Sequence, residues 1–145
     1  MEEVQAKKNE LRQSMLDALG TMPAEERVEK NRLIKNRLFD FANFLEARVV
    51  LLYANRPFEV ATDNIFHRAA NYGKIFVLPT FDPKKHRMHL YKVDKPNNGL
   101  QSGPRGVLEP IPGECQPMPI ECIDIAIVPG LVFDEKGGRM GTGEG

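Results

Sequence analysis

The stretch from Ile123 to Gly145, IDIAIVPGLVFDEKGGRMGTGEG, constrains the fold most. An apolar run suited to a buried strand meets a turn at Pro129-Gly130 and then a glycine-dense loop carrying Arg139. A buried strand feeding a glycine-rich loop is how α/β proteins commonly build phosphate-binding sites. Backbone approaches an anion closely only where no Cβ intervenes. Successive amides point into one concavity only where some residues take positive φ. Gly137, Gly138, Gly141, Gly143 and Gly145 supply that freedom, and Arg139 supplies a planar fork of donors. No Gly-Lys-Ser/Thr follows, so this is not a Walker A loop, and Gly141-x-Gly143-x-Gly145 is a poor dinucleotide fingerprint. Arg139 and the loop around it are therefore the first candidates for an anion site.

The chain upstream reads as scaffold and partner groups. Residues 2–19 fit a helix, with Val4, Leu11, Met15 and Leu19 on one face. Lys8 and Arg12 lie one turn apart on that helix, a pairing that solvated helices often carry. Pro23, Glu25 and Glu26 suit the first turn of a second helix over 24–45, whose stripe Ile34, Leu38, Phe41 and Leu45 should face a core. Val49 to Tyr53 and Ile75 to Leu78 read as strands buried on both faces, with a helix from Thr62 to about Tyr72 between them, a βαβ unit of a parallel sheet. The loop from Ala54 to Thr62 leaves the first strand at the edge where open sheets bind ligands, and Thr62 is placed to cap the helix. Glu59 in that loop reads on composition as a solvated acid. Lys84, Lys85, His86 and Arg87 form a basic loop, read as solvated surface, before a strand over 88–93. Residues 97–120 are proline-rich and lack periodicity, which predicts an irregular connection. Asp124 should mark the start of the last strand. Asp134 is either a turn acid or a group facing a nucleotide or its metal.

Composition removes several function classes. The 145 residues carry 20 basic and 20 acidic side chains, for no net charge, which argues against phosphate neutralisation along a nucleic acid. No stretch has the length and apolarity of a membrane span, and the N-terminus lacks the apolar core of a signal peptide, so a cytoplasmic protein is expected. Cys115 and Cys122 fit reduced thiols. His67, His86 and His89 show no metal-ligand spacing, so no metal-ligating residue is assigned. One domain over residues 1–145 is expected.

The segment Pro129-Gly130-Leu131-Val132-Phe133-Asp134, followed by Arg139-Met140-Gly141-Thr142-Gly143-Glu144-Gly145, closely resembles the signature of the 5-formyltetrahydrofolate cyclo-ligase (methenyltetrahydrofolate synthetase) family. Lys8-Asn9-Glu10-Leu11-Arg12 resembles that family's N-terminal Lys-x-x-Leu-Arg element, Glu59-Val60-Ala61-Thr62 its Glu-Val-x-Thr element, and Gly106-Val107-Leu108-Glu109-Pro110 its Gly-Ile-x-Glu-Pro element. The family continues beyond the last glycine with Tyr-Tyr-Asp and further strands. Relative to it this sequence is C-terminally truncated, with an exposed sheet edge and a frayed glycine loop as the expected consequence.

The resemblance implies a three-layer α/β fold, a mostly parallel open sheet with helices on both faces, as in sugar-phosphate isomerases and CoA-transferases. It implies ATP-dependent conversion of 5-formyltetrahydrofolate to 5,10-methenyltetrahydrofolate, with Mg²⁺ held by phosphate oxygens and water, in a monomer with no nucleic-acid or membrane partner. ATP would contact Lys8, Asn9, Glu10, Leu11 and Arg12, and Gly138, Arg139, Met140, Gly141, Thr142, Gly143, Glu144 and Gly145. Arg139 would stabilise charge on the transferring phosphoryl group. Glu59 would bind the pterin ring and Ala54 would line the folate pocket. An acid at 144 inside an anion-binding loop opposes phosphate and calls for an explanation. The alternatives are a non-catalytic or truncated nucleotide- or folate-binding relative, and another enzyme on the same fold, such as a sugar-phosphate isomerase.

Overall fold

The computed structural model describes residues 1–94 and 98–144. Pro96 and Gly145 therefore lie outside the described residues. The chain runs α1 (Glu2–Thr21), α2 (Ala24–Phe39), α3 (Ala42–Glu46), β1 (Val49–Leu51), α4 (Asp63–Ala70), β2 (Ile75–Asp82) and β3 (Arg87–Val93). It continues through β4 (Leu100–Ser102), β5 (Leu108–Pro110), β6 (Gln116–Pro117), a single helical turn at Ile120–Cys122, β7 (Ile125–Ala126), β8 (Val132–Phe133) and β9 (Arg139–Met140).

Five strands form one sheet in the order β6-β3-β2-β1-β7. The fold is α/β, and the parallel pairing predicted for 49–53 and 75–78 is present as Val50 opposite Phe76. β7 joins the other side of β1 in parallel, Val50 opposite Ile125 and Leu51 opposite Ala126. β3 and β6 add antiparallel, so the whole sheet is mixed. The apolar runs explain the centre: Val50, Leu52, Phe76, Val77 and Leu78 are buried, and Ile65, Phe66 and Ala69 of α4 close over them. Phe66 stacks on Phe76 at 4.5 Å between ring centroids.

Several expectations fail on packing. The second helix breaks at Asp40 and Phe41, where the backbone turns extended, giving α2 and α3. A stripe at helical spacing assumes one unbroken helix, and the break resets its phase. Of the predicted stripe Leu38 packs against the core, Ile34, Phe41 and Leu45 are exposed, and the buried pair is Phe39 and Phe44, meeting edge to face at 5.3 Å. Arg68 lies over the Phe39 ring at 4.1 Å and Lys74 over Phe44 at 4.7 Å. The Lys74 ammonium also donates to the carbonyls of Phe44 (2.5 Å), Leu45 (3.1 Å) and Ala47 (2.5 Å), closing the C-terminal end of α3. α1 buries none of its residues, and Val4 and Leu11 are exposed. Met15, Leu16 and Leu19 are half-buried, and polar ties add to them: the Arg27 guanidinium of α2 donates to the Leu19 carbonyl, and to the Pro57 carbonyl at 2.6 Å.

Thr62 does not cap α4 through its side chain. It is buried, and its hydroxyl donates to the Tyr53 carbonyl at 2.7 Å, tying the end of the loop to its beginning. β2 runs on to Asp82, Lys84, Lys85 and His86 lie in an exposed β2–β3 turn in which Asp82 accepts from the amides of Lys84 and Lys85, and Arg87 begins β3. Much of the connection read as irregular is a hairpin: β4 pairs β5, Gln101 opposite Glu109. Glu109 is only 6% exposed, and its Oε1 has no hydrogen-bond partner among the described residues. Asp124 does stand at the start of the last strand, but its carboxylate serves β1 instead, accepting from the amides of Arg48 and Val49 at 2.9 and 2.8 Å.

Candidate functional site

The site follows from one pairing. β1 and β7 are parallel neighbours, so the segments leaving their C-terminal ends emerge side by side at one edge of the sheet. From β1 comes the loop 52–62, and from β7 the segment 127–144. The first is fastened by hydrogen bonds. Thr62 N–H donates to Asn55 Oδ1 (3.1 Å), and the Tyr53 hydroxyl donates to the Val60 carbonyl (3.0 Å). Glu59 Oε2 accepts the amide of Arg56 at 2.8 Å. Burial, with a smaller contribution from Glu59, pushes the Tyr53 phenol up to about 12, so it remains a donor.

The glycine segment is a built hairpin. β8 pairs β9, Val132 opposite Met140 and Phe133 opposite Arg139, which corrects the expectation of a frayed loop. Asp134 organises its turn: Oδ1 accepts from the amides of Lys136 (2.8 Å) and Gly138 (2.7 Å). A Cβ at Gly138 would lie 2.5 Å from Asp134 Oδ2, so that position needs glycine. Of the two readings of Asp134, the structure supports the turn acid. Beyond β9, Gly143 has φ of +90°, and a Cβ there would lie 3.1 Å from Cζ of Arg12.

Arg12 binds the loop to α1. Its Nε donates to the Gly141 carbonyl at 2.9 Å, and Asn9 Oδ1 accepts from its Nη1 at 2.8 Å. Arg139 Nε donates to the Pro129 carbonyl at 2.7 Å, which leaves its terminal nitrogens to act elsewhere. Arg12, Arg56, Arg105 and Arg139 line one cavity of about 280 Å³ with Glu59, Gly130, Gly141, Thr142 and Gly143. Four guanidinium groups against one carboxylate make it an anion site inside a chain of no net charge. A second cavity, also about 280 Å³, is lined by Leu52, Ala54, Phe66, Leu78, Leu100 and Leu108 among others. Among the described residues no group of three or more His, Cys, Asp or Glu side chains comes together as a metal site. No helix among them is long and apolar enough to cross a membrane.

The sequence profile of the 5-formyltetrahydrofolate cyclo-ligase family matches residues 4–145. The chain belongs to that family. It is 27% identical to a probable 5-formyltetrahydrofolate cyclo-ligase of Caenorhabditis elegans, over 100% of this chain and 72% of the relative. It is 31% identical to a probable 5-formyltetrahydrofolate cyclo-ligase of Schizosaccharomyces pombe, over 96% and 69%. The solved structure of Aquifex aeolicus 5,10-methenyltetrahydrofolate synthetase superposes with a TM-score of 0.82 at 29% identity, covering 95% of this chain and 68% of that one. The Mycoplasma pneumoniae 5,10-methenyltetrahydrofolate synthetase shares the fold, with a TM-score of 0.71 at 16% identity over 95% and 73%.

Within this cyclo-ligase fold the predicted residues divide into groups. Arg12, Glu59, Arg139, Gly141, Thr142 and Gly143 meet at the polar cavity, and Gly138 and Met140 build the hairpin behind it. Asn9 orients Arg12. Lys8, Glu10 and Leu11 are exposed on α1 and do not line the cavity, while Lys7 pairs with Glu3. Ala54 lines the apolar cavity and Glu59 the polar one, so the two residues assigned to folate line different cavities. Gly145 lies outside the described residues. Arg56 and Arg105 were not singled out from the sequence. Arg105 sits between Pro104 and Gly106, a turn signature that marks the hairpin tip delivering it. Arg56 carried only the positional signal of a loop off a C-terminal strand end.

Proposed function

We propose that this chain converts 5-formyltetrahydrofolate to 5,10-methenyltetrahydrofolate with hydrolysis of ATP to ADP and phosphate. One observation carries the reading: Arg12, Arg139, Glu59 and the glycine hairpin converge on a single cavity in a chain of the cyclo-ligase family. The formyl oxygen attacks the γ-phosphorus and the bond to ADP breaks, leaving an iminium phosphate. N10 then attacks the formyl carbon, the ring closes, and phosphate departs with the formyl oxygen and takes up the N10 proton. This chemistry asks the protein for position and charge neutralisation, and no protein nucleophile is needed.

Arg139 is the catalytic residue, its terminal nitrogens, without a hydrogen-bond partner among the described residues, facing charge that grows on the transferred phosphoryl oxygens. Arg12 fixes the hairpin to α1 and contributes a second positive charge. Glu59 offers a carboxylate edge to the amino-pyrimidine N–H groups while the Arg56 amide holds its other side. A cavity lined by four arginines does not suit a free divalent cation. Mg²⁺ fits as the nucleotide's own counter-ion, held by phosphate oxygens and water.

The test follows methenyltetrahydrofolate by its near-ultraviolet absorbance, with 5-formyltetrahydrofolate and MgATP, beside Arg139→Ala. ATP-dependent product formation that falls about 100-fold or more in the variant is expected. Binding of 5-formyltetrahydrofolate without product would replace the catalytic reading with that of a binding-only relative.

A further inference from the structure

The glycine hairpin carries an acid where a phosphate site should have none. Glu144 lies one residue past Gly143, and its carboxylate forms an ion pair with Arg56 Nη2 at 2.8 Å. The two side chains come from opposite segments, 88 residues apart, and they meet where the β1 loop faces the glycine loop. They differ in setting. The Arg56 side chain is 16% exposed, its guanidinium 5.9 Å from the Phe58 ring centroid and its backbone amide on Glu59. The Glu144 side chain is 59% exposed, and among the described residues it has a long 3.4 Å contact from the Thr142 hydroxyl and no other hydrogen-bond partner besides Arg56. Arg56 is thus the anchored partner and Glu144 the displaceable one. Arg56 lines the polar cavity, and it lines a neighbouring open groove together with Arg105 and Glu144.

We propose that Arg56 is a further ligand-binding residue, and that Glu144 is a built-in competitor whose carboxylate an anionic group of the incoming ligand displaces. The chemistry is that of an oxyanion meeting a guanidinium: a phosphate of the nucleotide or a carboxylate of the folate fits the same fork. Displacement swings Glu144 away from the cavity. That removes the one charge in the loop that opposes phosphate, and it couples ligand entry to movement of the loop that holds Gly143. The inference rests on the proposed reading of the polar cavity as the nucleotide site. It goes beyond that reading in assigning Arg56, which no part of the recognised signature includes, and in giving Glu144 a role.

The test is calorimetric binding of inorganic tripolyphosphate, and separately of 5-formyltetrahydrofolate, to the full chain and to Glu144→Gln, Arg56→Gln, the double variant and Glu135→Gln. Glu135 is exposed in the β8–β9 turn and serves as a control for loss of one negative charge. Glu144→Gln is expected to tighten Kd about two- to fivefold, the scale of a partly exposed ion pair that a ligand must break. Arg56→Gln should weaken binding and abolish the gain in the double variant. A gain with tripolyphosphate identifies the nucleotide as the source of the anion, and a gain with the folate alone identifies its carboxylate. No gain with either ligand overturns the proposal, as does an equal gain in Glu135→Gln or in the Arg56→Gln background. Methenyltetrahydrofolate formation by the unaltered chain judges the cyclo-ligase reading separately, so each can fail without the other.

Discussion

Replacing Gly143 by alanine puts two separable penalties on the anion site. The backbone there has φ of +90°, which an L-residue adopts only with strain of about 1–2 kcal/mol. The new methyl would also stand 3.1 Å from Cζ and 3.3 Å from both terminal nitrogens of Arg12, so the guanidinium must give by a few tenths of an ångström. That guanidinium is held by its 2.9 Å bond to the Gly141 carbonyl, and a hydrogen bond to a charged group contributes roughly 1.5–3 kcal/mol. Strain plus partial loss of that bond comes to about 1.5–3 kcal/mol, or a Kd for ATP raised about 10- to 100-fold. Position 143 lies outside the buried cluster, so the thermal midpoint should move little. Titration calorimetry with ATP measures the first effect and a thermal melt the second. Repeating the substitution in an Arg12→Ala background removes the steric share and keeps the conformational one, so the added loss should shrink to about 5- to 30-fold. Affinity within about twofold of the parent in the single variant would refute the claim that the loop binds anions in this conformation.

Four other outcomes follow. Phe44→Ala removes a fully buried ring at the α3–sheet contact and should cost about 3–5 kcal/mol in urea unfolding. Lys74→Met keeps the packing over Phe44 but strips three carbonyls of their donor, for a loss of about 2 kcal/mol by the same measurement. The backbone amides of Val49 and Arg48 hold Asp124 below its ordinary 3.8. Its stabilisation is therefore present above the unfolded-state value and lost as pH falls through the folded one, so Asp124→Ala should flatten the acid limb of a stability–pH curve. Tyr53, pushed up to about 12, stays neutral while the unfolded chain ionises above about 10, so stability should fall between those values. Phenolate absorbance should show a late step that disappears in Tyr53→Phe.

Legibility from sequence divided by range of interaction. The apolar runs at 49–53 and 75–78 and the glycine segment could be read because their signal is local: β-forming residues in unbroken order, and glycine where backbone must turn back on itself. Thr62 kept its place at the head of α4, but its hydroxyl went to Tyr53, since a buried donor takes the carbonyl that packing brings within reach. The helix stripe over 34–45 held only at Leu38, because periodicity carries no information about a break, and the break decides which ring is buried. Residues 97–120 looked irregular because β4 and β5 are three residues each, too short for alternation to show.

For the site, the sequence by itself offered Arg139 in a loop able to bring amides near an anion, and its family resemblance added Arg12 and Glu59 as candidates. Only the tertiary structure decided which of these meet. The parallel pairing of β1 with β7 sets two distant loops side by side, which places Arg56 against Glu144 and carries Arg12 and Arg139 to one cavity while Lys8 stays outside it. Strand order is a long-range property, fixed by which apolar faces bury each other, and no local pattern near residue 56 or 144 encodes the partner it will find.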